Sequence, residues 1–131
     1  MNADQENLKH KELTDLIIKA FYTVYNKLGY GFLEKVCLNA LTIELEKQHL
    51  QVRTQSPINV LYDGKIVGEY FADILVNGAI IIEIKAAKAI IVDHEAQLLN
   101  YLKATSCEVG LILNFGPKAE FRRKAFDNSR K

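Results

Sequence analysis

The hairpin at residues 65–86, KIVGEYFADILVNGAIIIEIKA, limits what this chain can fold into more than any other stretch. Asn77-Gly78 is a strong turn signal between two strand-forming runs. The run after it, Ala79 to Ala86, is apolar at consecutive positions until Glu83, the mark of a central strand covered on both faces. Such a strand needs a sheet around it, which excludes an all-helical bundle. The same hairpin carries Asp73, Glu83 and Lys85. Charged side chains are rarely buried unless they are paired or bound to a cation, so all three need a reason.

The rest of the chain supplies the partners for that strand. Leu13, Ile17, Ala20/Phe21, Val24 and Leu28 trace one face of a helix that Gly29 stops. A second helical pattern runs through Leu33, Val36/Cys37, Ala40/Leu41 and Leu45 and fades at Gln48-His49. The period then drops to two, with Val52, Thr54, Ser56, Ile58, Val60 and Tyr62 on one parity and Asp63-Gly64 as a first hairpin turn. Asp93 is the expected N-cap of a third helix carrying Gln97 and Tyr101, and Val109 to Phe115 is the last expected strand. The order is α-α-β-β-β-α-β, and the helical crossover should set the last strand parallel to the one bearing Glu83 or to a neighbour in the same sheet.

Bulk properties narrow the class. The chain has 131 residues, 49% apolar and 25% charged, which suits a single globular domain over 1–131 with one real core. No apolar run reaches the ~18 residues that span a bilayer, and the polar start MNADQENLKHKE lacks a signal-peptide core. Cys37 and Cys107 show no metal or redox spacing, so a reducing, cytoplasmic setting is expected. A net charge of +1 gives no global field for nucleic acid. Arg122, Arg123, Lys124, Arg130 and Lys131 gather near the C-terminus and are read as a solvated tail.

Glu83 and Lys85 are two apart on a strand and share a face. Whether Asp73 joins them depends on the turn. A two-residue loop pairing Val76 with Ala79 sets Asp73 and Glu83 on opposite faces, whereas a three-residue loop with Gly78 left-handed, or a bulge, brings them together. The sequence allows both, but chemistry favours the second. Two adjacent carboxylates suit Mg²⁺, which takes hard oxygen ligands, and a lysine beside them stabilises charge developing on a phosphate. Asp73 with Glu83-Ile84-Lys85 is thus a kit for metal-assisted phosphodiester hydrolysis, although most isolated D…ExK patterns are surface ion pairs.

The pattern resembles the PD-(D/E)XK nuclease superfamily, with Ala72 in place of the proline. "GFLEKVC", "GEYFADILV", "IIEIKA", "HEAQLLNYLKAT" and "VGLILNFG" are similar, in this order, to the small GxxExxY proteins of that superfamily. The resemblance implies an α/β fold with an αβββαβ restriction-endonuclease-like core and a mixed sheet of about four strands flanked by helices. It implies Asp73, Glu83 and the Ile84 carbonyl as ligands of Mg²⁺ or Mn²⁺, and Lys85 and Gln97 as groups positioning water and phosphate. Glu34 is either a further carboxylate reaching the metal, directly or through water, or an exposed helix-start residue favoured by the dipole. Cys37 stands where the signature has Tyr and cannot supply that phenol's hydrogen bond. Gln97 and Tyr101 resemble a QxxxY element; Tyr101 either contacts nucleic acid, with Lys88, or packs as a core or capping residue. His94 reads as a helix-start residue rather than a ligand, and Cys107 as core.

The function expected from this resemblance is metal-dependent cleavage of DNA or RNA, with DNA favoured. The alternative is a non-catalytic nucleic-acid-binding or protein-interaction module that keeps the fold. The modest charge leaves room for a homodimer or another protein partner to supply specificity.

Overall fold

The computed structural model describes residues 9–131, so most of the polar start lies outside the described residues. Five strands form one mixed sheet in the order β1-β2-β3-β4-β5: Val52–Tyr62, Lys65–Val76, Ile80–Lys85, Val109–Phe115 and Ala119–Ala125. Helices α1 (Lys11–Leu28) and α2 (Glu34–Lys47) precede the sheet, and α3 (Val92–Lys103) crosses from β3 to β4. All neighbouring strands are antiparallel except β3 and β4, which run parallel from Ile80↔Val109 to Lys85↔Asn114. The parallel pair is the expected result of the α3 crossover.

Two cores sandwich the sheet. The even residues of β3, Ile80, Ile82 and Ile84, pack with α1 and α2 through Phe21, Leu41 and Leu45. On the other face Ile81 and Ile112 meet Leu98, Tyr101 and Leu102 of α3. Double coverage explains the unbroken apolar run of β3, where Ile80 to Ile84 are all buried. On α2 the inner face is Cys37, Leu38, Leu41 and Leu45, while Leu33, expected on that face, is 77% exposed.

Three expectations are corrected. The sheet has five strands, because Ala119–Ala125 pairs along its length with β4. Arg122, Arg123 and Lys124 therefore lie on an edge strand rather than in a solvated tail. Ala119, Phe121 and Ala125 pack on the first core, while Lys124 pairs with Glu95 of α3 at 2.6 Å and Arg123 donates to the Lys9 carbonyl. Asp93 is not the N-cap of α3. That position is Ile91, and Asp93 sits in the first turn, where a negative charge suits the helix dipole.

Candidate metal centre

The two hairpin turns decide which side chains meet. Asp63 and Gly64 both have positive φ, 51° and 75°, and join Tyr62 directly to Lys65. Asn77 and Gly78 are also left-handed, and the Ala79 N–H closes on the Val76 carbonyl at 2.9 Å. The ladder, however, resumes at Val76↔Ile80, followed by Leu75↔Ile81 and Ile74↔Ile82, leaving Ala79 as the odd residue. That one extra residue sets Asp73 opposite Glu83 on the same face.

The regular ladder ends there. In place of strand-to-strand backbone bonds, each carboxylate takes an amide from the other strand. The Asp73 N–H donates to Glu83 Oε2 at 3.1 Å, and the Ile84 N–H donates to Asp73 Oδ2 at 2.8 Å. On the other side of β2, Gln55 has φ 51° and the β1–β2 pairing skips from Thr54↔Ile74 to Ser56↔Ala72. Ile74 packs in the first core but Ala72, two residues away, packs in the second. A regular strand would keep both on one face. Asp73 thus sits where β2 turns over, flanked by irregular pairing on both sides.

Glu83 is 4% exposed, on the central strand. Burial, then the neighbouring charge of Asp73, pushes its carboxyl up to about 8; the Asp73 amide and the Lys85 charge pull the other way. No ion pair joins Glu83 to Lys85, so the surface-pair alternative does not describe this site. The half-buried Lys85 instead donates from Nζ to Gln97 Oε1 at 3.3 Å. Tyr101, 6% exposed, packs in the second core and against the Tyr70 ring, with centroids 5.6 Å apart. Its phenol is raised by burial first and next by the charge of Glu83.

The structure therefore brings together Asp73, Glu83, Ile84, Lys85, Gln97 and Tyr101. Glu34 is exposed and opens α2, a helix packed on the other face of the sheet. Among the described residues no group of three His, Cys, Asp or Glu side chains is gathered that could hold a metal ion. Lys88 is exposed in the segment after β3. His94 Nδ1 accepts the Ile91 N–H at 3.2 Å and so serves the start of α3.

Two residues that fix this region carried no sequence signal of function. Asn114, fully buried and paired with Lys85, accepts the Ala87 N–H at 2.9 Å and donates to the Ala87 carbonyl at 3.0 Å. At Gly116 a Cβ would collide with that same carbonyl oxygen. Together they clamp the chain just beyond Lys85.

A mixed sheet flanked by helices, with a carboxylate pair where its inner hairpin splays, has the architecture of a restriction-endonuclease-like α/β domain. The family model of the PD-(D/E)XK nuclease superfamily matches residues 11–124, and the chain belongs to that superfamily. The crystal structure of SSO0001 shares the fold, with a TM-score of 0.55 and 21% identity over 90% of this chain. The match covers 59% of that chain's length. No curated protein matches the sequence.

Proposed function

We propose that this domain is a nuclease that hydrolyses phosphodiester bonds with a divalent cation held by Asp73 and Glu83. The observation that carries the proposal is the interlocked pair: half-buried Asp73 of β2 and buried Glu83 of β3 each take an amide from the other's strand, and neither is in an ion pair among the described residues. Like charges this close disfavour joint ionisation unless a cation or a shared proton intervenes. The donors fit the metal. Two carboxylates with a backbone carbonyl and waters suit Mg²⁺ or Mn²⁺. The third donor is the Ile84 carbonyl, because the N–H and C=O of one strand residue point to the same edge and the Ile84 N–H points at Asp73. Glu34, at the start of a helix on the other face, is left outside the ligand set.

When bound, the cation supplies Lewis-acid polarisation of the phosphoryl group. The chain's own residues do the rest. Lys85 presents its ammonium group to the phosphate and the charge developing on it. Gln97 holds Lys85 by accepting a hydrogen bond from its ammonium group, and Tyr101 walls the site on the helix side. Lys88, exposed beyond β3, contacts the nucleic-acid backbone. We place the chain among the GxxExxY proteins within its superfamily, with DNA as the favoured substrate. The free, buried Cys37 and Cys107 suit a reducing compartment such as the cytoplasm.

The test is cleavage of single- and double-stranded DNA and RNA in Mg²⁺, Mn²⁺ and EDTA. Cleavage with a metal and none with EDTA is expected. Lys85→Ala should abolish cleavage yet keep or strengthen metal binding, since a nearby positive charge opposes the cation. A folded Lys85→Ala protein that cleaves like wild type would remove Lys85 from the mechanism. A wild type that binds Mn²⁺ but cuts none of the four substrates would favour the non-catalytic module.

A further inference from the structure

Between the far half of the β1–β2 hairpin and α3 lies an open groove of about 930 Å³ whose lining includes Gln97, the partner of Lys85. Its strand wall is Val60, Leu61, Val67, Gly68 and Tyr70, and its helix wall includes Gln97, Asn100 and Tyr101. A bulge builds the strand wall. The register slips between Val60↔Gly68 and Leu61↔Ile66, leaving Val67 unpaired, so consecutive residues on both strands line one groove where regular pleating would alternate them. Gly68 gives room for a ring: a Cβ there would stand 3.3 Å from the Tyr70 ring edge. Tyr70 is 48% exposed and leans on buried Tyr101, their rings tilted by 46°. Gln97 belongs to both places, lining the groove and accepting from Lys85.

From this geometry we infer that the groove seats the bases of an unpaired nucleic-acid strand and feeds its backbone to Asp73 and Glu83. The inference rests on the nuclease reading and deepens it by naming the substrate class. The groove's chemistry is that of bases rather than phosphates. An exposed aromatic face offers a stacking platform open to any base, and the amides of Asn59, Gln97 and Asn100 offer paired donors and acceptors to base edges. Backbone binding, of a single strand as of a duplex, draws on Lys and Arg that neutralise phosphates, so a groove poor in them relies on stacking and base edges. Here Lys103 is the one cationic side chain among the described lining residues, and Asp93 offsets it. A paired strand has its bases stacked inside the helix and cannot present them to this wall. The substrate is therefore a single strand or an unpaired end.

The probes are fluorescent oligo(dT), oligo(rU) and a blunt mixed-sequence duplex of equal length, titrated with the full chain in EDTA so that binding is read without cleavage. At least one single strand should bind about tenfold or more tightly than the duplex, and the dT and rU arms show whether DNA or RNA is the source. Tyr70→Ala should weaken that binding by about tenfold or more, the loss of one base stack, while Tyr70→Phe stays near wild type. Because Tyr70 is half exposed, its variants should melt near wild type and keep the Mn²⁺ response. Strand binding that is undetectable, unchanged in folded Tyr70→Ala, or matched by the duplex overturns the groove assignment. If those results come with an intact Mn²⁺ response, the metal site stands without the groove. Tyr70-dependent strand binding with no Mn²⁺ response keeps the groove and ends the metal site.

Discussion

Glu83 holds a carboxyl in a nearly dry place beside a second carboxylate, and its acidity records both conditions. Its ordinary value near 4.5 is raised to about 8 in the fold, by burial first and by Asp73 second. Between those values the folded protein keeps a proton that the unfolded chain has released. The folded state then binds more protons than the unfolded one, so stability in EDTA should fall as pH rises from about 4.5 to about 8 and level off above. A divalent cation competes with that proton and holds Glu83 ionised in the fold, so saturating Mn²⁺ should flatten the slope across the same window. Thermal melts against pH, in EDTA and in Mn²⁺, read both. A metal-free profile that stays flat through the window would mean that Glu83 ionises freely and that the pair is not strained. The residues of this pair were legible in the sequence, since charge inside an apolar strand is costly without a partner. Gln55 was not, because nothing about a glutamine in an alternating strand announces φ 51°.

The hairpin shows which local signals carry over into structure. Both turns were readable from their Asp-Gly and Asn-Gly pairs, and the need to bring two carboxylates together chose the longer register, as Val76↔Ile80 shows. The segment leaving β3 was not readable. Its clamp is a buried amide, 27 residues along the chain from the Ala87 it holds, and a glycine whose importance comes from contact with the same Ala87. Asn114→Ala removes both partners of that backbone unit and should lower stability by about 1–3 kcal/mol for each buried group left unsatisfied. Gly116→Ala must displace the Ala87 carbonyl and should destabilise as well. Both variants should lose cleavage beyond what their melting temperatures explain, because Lys85 pairs directly with Asn114. If either melts and cleaves like wild type, the clamp has no role in placing Lys85. The same blindness to long-range pairing hid β5, whose Arg122, Arg123 and Lys124 resemble a tail until β4 provides an edge to cover.

At the scale of the molecule, the sheet keeps its ionisable pair away from the larger core. α1 and α2 cover the even residues of β3 with aliphatic and aromatic side chains, while α3 covers the odd face through Leu98, Tyr101 and Leu102, where Glu83 is buried and Lys85 half-buried. The α/β class, the parallel crossover and the helix order follow from periodicity and turn chemistry, so they could be read from the sequence. Which face the first two helices take could not, and that choice packs α2, which Glu34 opens, on the first core. No helix among the described residues is long and apolar enough to cross a membrane. The central claim is that a divalent cation completes the charge balance of Asp73 and Glu83, and ligand-linked melting tests it most directly. Calorimetric scans of wild type and Asp73→Asn, each with EDTA and with excess Mn²⁺, are the measurement. Mn²⁺ should stabilise wild type by RT ln(1 + [L]/Kd), ~2.7 kcal/mol at a hundredfold excess over Kd, a shift of several degrees. In Asp73→Asn the side-chain oxygen can still accept the Ile84 N–H while the repelling charge is gone, so the EDTA scan should hold or rise and the Mn²⁺ shift should shrink. Wild-type scans that superimpose with and without Mn²⁺ would contradict the metal centre and leave only the fold.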